Sequence, residues 1–152
     1  MSQRIVGFFC SGLMATAAMV AGSPLPASAA PATYLPVPLN SNNHATCFGK
    51  EGTFLKGSQV MAVQWYGGAT NECFGIGPDR TIWHIWEESG EWRRMPNGGR
   101  ADDTIRAFSS SNPHTRYIQV CVLGSGSGTW ESQNVNGTWS SWSLKRPGVC
   151  RR

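Results

Sequence analysis

The side chains of this 152-residue chain best suited to hold a ligand are indoles with polar neighbours. A tryptophan face stacks on the C–H face of a sugar ring, while His, Arg and Glu hydrogen-bond its hydroxyls. Trp86 and His84 alternate onto one side of a stretch that reads as a strand. Arg80, at the end of the preceding turn, offers a planar fork of donors. Glu131 and Trp142 are the corresponding candidates in a second copy of the same segment. These five residues are the expected carbohydrate contacts. Other chemistries find less support. Glu87, Glu88 and Glu91 crowd near a hairpin, and paired carboxylates hydrolyse glycosides, but an acidic cluster at a turn is ordinarily solvated. Asp102-Asp103 lacks the further ligands of a calcium loop. No C-x-x-C pair exists, and His44, His84 and His114 stand far from any zinc spacing. The Gly/Ser stretch 124–128 is neither a phosphate cradle nor a nucleophile turn. The expectation is a binding protein with no catalytic residue, no metal and no cofactor.

The elements that must position these residues are written twice. Residues 81–95 and 129–142 share a pattern, with Trp83 falling on Trp130, Gly90 on Gly137 and Trp92 on Trp139. Short alternating strands are predicted over 60–65, 72–75, 81–86, 117–122, 129–133 and 138–144, punctuated by Gly67-Gly68, Gly77-Pro78-Asp79, Ser89-Gly90 and Asn136-Gly137. Residues 101–108 read as a helical turn or covering loop. No stretch holds a 3.6-residue apolar period, so the fold class is all-β. Alternation puts Thr81, Trp83 and Ile85 on one face of their strand and Ile82, His84 and Trp86 on the other. Seven tryptophans are many for this length. Trp83, Trp130, Trp92 and Trp139 read as packing, because they recur in both copies. Trp86 is replaced by Gln133 in the second copy, which places it near solvent.

Residues 1–29 read as a signal peptide: Arg4, an apolar small-residue stretch, Pro24 and Pro26, then Ala27-Ser28-Ala29 as a cleavage site. Residues 30–45 read as a flexible Pro/Asn/Ser-rich leader, and 46–152 as the all-β domain. Without Cys10 four cysteines remain: Cys47, Cys73, Cys121 and Cys150. An even count in a secreted chain implies two disulfides. Three pairings satisfy it; Cys47–Cys73 with Cys121–Cys150 closes the two most local loops. The formal charge of +4 is mild and scattered, which argues against nucleic acid, and no later stretch has the length of a membrane span.

The segment Phe74-Gly75-Ile76-Gly77-Pro78-Asp79-Arg80-Thr81-Ile82-Trp83-His84-Ile85-Trp86, with Gly90-Glu91-Trp92 and Gly137-Thr138-Trp139, resembles the blade repeat of tectonin-like lectin propellers of bacteria and fungi. The resemblance spans about 72–96 and 117–146. The second tryptophan of the repeat is Trp142 in one copy and Met95 in the other, and Asp79 has no acidic counterpart at 124–128. It implies glycan binding between blades. Two blades do not close a ring, so it implies either a homo-trimer sharing one six-bladed propeller or a partial propeller packed as a small disulfide-stapled sandwich. The alternative function is a secreted protein-binding module, such as a protease inhibitor or toxin partner, presenting Arg93-Arg94 and the loop 95–99.

Overall fold

The computed structural model describes residues 32–65, 71–110, 114–148 and 150. The signal-peptide reading and the Gly67-Gly68 turn lie outside them. The first half contributes β1 (Thr33–Val37), the hairpin β2 (His44–Cys47) and β3 (Lys50–Thr53), then β4 (Val60–Gln64), β5 (Glu72–Ile76), β6 (Ile82–Trp86) and β7 (Arg93–Arg94). The second half contributes β8 (Asp103–Ser109), β9 (Thr115–Val122), β10 (Gly128–Val135), β11 (Thr138–Trp139) and β12 (Ser143–Pro147). Every pairing is antiparallel. One sheet has the order β1-β4-β5-β6-β7; the other has β11-β10-β9-β8, with β12 also on β10. The fold is all-β, two stacked sheets and a covering hairpin, and no ring is closed.

Three local expectations change. Residues 33–37, expected within a flexible leader, pair with the whole of β4, from Thr33↔Gln64 to Val37↔Val60. Residues 101–108, expected as a helical turn or loop, supply most of β8. A bulge between Thr104 and Arg106 breaks its register with β9 and leaves Thr104 and Ile105 both buried. That interruption of the two-residue period hides the strand from a pattern reading. The strand expected over 138–144 is split into β11 and β12. Between them Ser140 turns aside, its hydroxyl accepting the Gln133 amide at 3.0 Å.

The sheets stack front to back. On β6, Ile82 enters the core between the sheets and Ile85 the core beneath the β2–β3 hairpin. On β10, Trp130 packs into the inter-sheet core, and Glu131 lies on the far side with Gln119. Likewise Trp92 packs on the outer side of the first sheet, whereas Trp139, its counterpart, packs between the sheets. Equivalent residues of the two copies thus face the same way, and the front of the second sheet meets the back of the first. Phe74, Met61, Ile76, Ile82, Ile118 and Val120 fill the junction and are almost wholly buried. Each such side chain contributes about 1.5–3 kcal/mol.

The hairpin covers part of the outer face of the first sheet, beside an open cavity of about 420 Å³ lined by Leu35, Val37, Cys47, Phe48, Ala62 and Cys73. Phe54 packs edge-on against Trp92 at 4.8 Å, and the Trp92 indole donates to the Lys50 carbonyl at 3.2 Å. Cys47–Cys73 ties the hairpin to β5, and Cys121–Cys150 ties the C-terminal end to β9. Both are the local pairings.

Candidate functional site

Ser89 fixes Trp86, one of the two expected ligand-binding indoles. After β6 the chain makes a 3₁₀ turn, Glu87–Ser89, ended by Gly90 at φ 70. The Ser89 hydroxyl donates to the Trp86 carbonyl at 2.7 Å and accepts the Trp86 amide at 3.2 Å. The indole, half-buried, lies 5.2 Å from the His84 ring, with the Arg93 guanidinium 5.6 Å from its own centroid.

Beside it, a cavity of about 220 Å³ opens between the sheets, lined by Glu72, His84, Trp86, Arg116, Asn134, Gly137 and Trp139. Glu72 and His84 are buried and joined, Nδ1 to Oε1, at 2.6 Å. The other Glu72 oxygen accepts the Trp65 indole N–H at 3.1 Å. With Nδ1 donating to the carboxylate, Nε2 is the acceptor of a neutral His84 and a second donor of a charged one. Asn134 Oδ1 accepts the Gly137 amide at 2.9 Å. Asn136 at φ 51 and Gly137 at φ 88 form the left-handed pair of a tight hairpin turn, which brings Trp139 back over β10.

The donors around this cavity are unequally used. Five of the seven indoles donate to protein: Trp65 to Glu72, Trp83 to Thr81, Trp92 to Lys50, Trp130 to Gly126 and Trp142 to Gly98. Trp86 and Trp139 have no acceptor among the described residues, and both line the cavity. Asn134 spends its oxygen on the Gly137 turn, and its Nδ2 has no acceptor among the described residues. Arg116 Nε is shielded from solvent and likewise lacks an acceptor. The site is rich in donors and contains one carboxylate, both of whose oxygens are engaged. It suits a ligand that presents oxygen acceptors beside an apolar face.

Of the five expected contacts only His84 and Trp86 meet here. Arg80 stands at the other end of β6, about 20 Å away by the rise of a strand. It has φ 67 and binds Asp102 at 2.7 Å, clamping the β5–β6 turn to the second sheet. Glu131 lies on the outer face of the second sheet with Gln119 and Lys145. Trp142 lines a separate apolar cavity of about 190 Å³ with Trp130, Gly99 and Val122. The loop 95–99, a candidate protein contact, is anchored at Met95, which is buried, and by Asn97 Nδ2 donating to the Trp139 carbonyl at 2.8 Å and Trp142 to Gly98, while Pro96, Asn97 and Gly98 are exposed. Asp79, in the turn beside Arg80, accepts the Thr81 hydroxyl and amide. These bonds, with Arg94 at 3.1 Å, hold its carboxyl below the usual 3.8.

No protein family matches this chain, and neither a curated protein nor a solved structure is similar to it. Among the described residues no helix is long and apolar enough to cross a membrane, and no His, Cys, Asp or Glu cluster forms a metal centre. Sequence reasoning did not single out Glu72, Arg116 or Asn134; Trp139, read as packing, is buried in the inter-sheet core and also lines the cavity. Trp139 looks like packing because Trp92 recurs at its position, and which indole lacks an acceptor depends on a register between sheets that no local pattern carries. The available signal was the lone acid Glu72 in an otherwise apolar strand.

Proposed function

We propose that this protein is a secreted, lectin-like carbohydrate-binding module and that the cavity between its sheets receives one saccharide unit. The observation that carries this reading is the pair of indole donors, Trp86 and Trp139, left without acceptors on the rim and wall of a single polar cavity. A sugar supplies the complement: oxygen acceptors for the N–H groups and an apolar C–H face for the Trp86 ring. The volume is below the roughly 300–1,000 Å³ typical of pockets for whole drug-sized ligands, so the cavity suits one unit of a larger glycan. Two bridged cysteine pairs are the usage of an oxidising compartment, which supports secretion and the signal-peptide reading. Binding rather than catalysis fits Glu72, whose oxygens are both committed inside the protein.

The test is a glycan array probed with the chain from Ala30 onward, followed by titration of the best saccharide. Trp86→Ala should weaken binding by at least about tenfold, the scale of a buried aromatic anchor, with unchanged circular dichroism. Absence of binding to every saccharide, with capture of a secreted enzyme instead, would transfer the reading to a protein-binding module.

A further inference from the structure

The outer face of the second sheet carries charged and amide side chains where the corresponding face of the first carries Met61 and Phe74. By register the Met61↔Phe74 pair of the first sheet is matched by Arg106↔Gln119, and His84 by Glu131. Both strands flanking the central β9–β10 pair are bulged at nearly the same level. On β8 the register shifts between Thr104 and Arg106; on β12 it shifts where Thr129 faces Arg146 and Trp130 faces Leu144. A bulge re-aims side chains. Here the first brings Ile105 and Arg106, and the second brings Lys145 and Arg146, to the wall of one cavity of about 220 Å³ floored by Gln119 and Thr129. The β4–β5 pair of the first sheet runs without such a shift.

The floor is internally satisfied. Gln119 accepts Arg106 Nε at 2.9 Å and donates to Glu131 at 2.7 Å. Lys145 stands 3.0 Å from the buried Glu131 carboxylate. Arg106 thereby keeps the end of its fork, and Arg146 has no side-chain partner among the described residues. Three cations surround one carboxylate, leaving an excess of positive charge in a concave site.

We infer that this cavity is a second binding site, one that takes an oxyanion, a carboxylate or sulfate ester, carried on an acidic polysaccharide. A guanidinium pair addresses the planar or tetrahedral oxygens. The charge is confined to one pocket rather than drawn out along a stripe, which fits a single acidic sugar and not a nucleic-acid backbone. The site lies across the second sheet from the inter-sheet cavity, and its existence does not depend on that cavity's ligand.

The experiment measures binding of the mature chain to dextran sulfate, polygalacturonate, neutral dextran, inorganic sulfate and a short DNA duplex. Dextran sulfate or polygalacturonate should bind and dextran should not; which of the two binds tells sulfate from carboxylate. Inorganic sulfate should compete weakly. Arg106→Gln with Arg146→Gln should weaken binding by at least about tenfold, the loss expected for charge-assisted hydrogen bonds. Arg146→Gln alone, at an exposed position with no internal partner, should weaken it without moving the thermal midpoint. Binding at this site is read as the part lost in Arg146→Gln, so saccharide held by the inter-sheet cavity does not count toward it. Undiminished binding by Arg146→Gln, failure of both acidic polymers to bind, equal binding of dextran, or DNA binding as tight as the acidic polymers would each overturn the assignment.

Discussion

Asp79 shows how a single exposed carboxylate serves the fold. Its carboxyl is held below 3.8, first by the Thr81 hydroxyl, then by the Thr81 amide, with Arg94 adding to the effect against partial desolvation. A depressed folded-state value means the contribution is present above the unfolded value and is lost as pH falls through the folded one. Asp79→Asn should therefore lower the thermal midpoint at neutral pH, and the gap to the parent should close in acid below 3.8; melting curves across pH check this. A gap that widens in acid would contradict it. Arg80, next in sequence, was read as a ligand fork, yet it is spent on Asp102. A sequence shows that a guanidinium is present but not which carboxylate a distant loop delivers to it. His84 and Trp86 were legible because strand alternation alone puts them on one face. Their partners Arg116 and Asn134 come from the other sheet, and no spacing within the first copy announces them.

At the scale of elements, close approach between strands is set by glycines and a disulfide. The Phe54 ring sits against Gly52 on one side and Gly75 on the other, and a Cβ at either position would enter the ring's space. Gly75→Ala should destabilise by about 1–3 kcal/mol, the cost of overpacking, measured by urea denaturation; a neutral result would mean that the hairpin shifts freely. Replacing Cys47 and Cys73 by Ser opens a loop of sequence separation 26. It should cost about 2–4 kcal/mol and loosen the hairpin, read as faster amide exchange on β2 and β3. The local pairing of the cysteines and most of the strands were legible from turn residues and short apolar runs. β8 was not, because its bulge erases the alternation that marks a strand. β1 was not, because its Pro36 and exposed neighbours resemble a leader, and only pairing with β4 orders them.

For the whole molecule, the consequence of the stacking is that each sheet keeps one outer face that the other sheet does not cover. The hairpin covers part of one, and the other carries the Arg106–Gln119–Glu131–Lys145 network. A shared ring of three chains would need those two faces to meet, with the hairpin displaced and the network desolvated. Light scattering on the chain from Ala30 onward should give the mass of one copy; a trimer would restore the shared-ring arrangement. The all-β class was readable from short alternating strands and turn residues with no 3.6-residue apolar period. What the recurrence of Trp, Gly and Trp could not say is which sheet face each indole joins, and that decides which are packing and which border a cavity. The most direct test is a nitrogen-15 spectrum of the mature protein titrated with the best saccharide from the array. All seven tryptophans lie in the described residues, so seven indole N–H signals are expected. Those of Trp86 and Trp139 should move while the five bonded to protein acceptors hold still; movement confined to other indoles, or none at a saturating concentration, would contradict binding between the sheets.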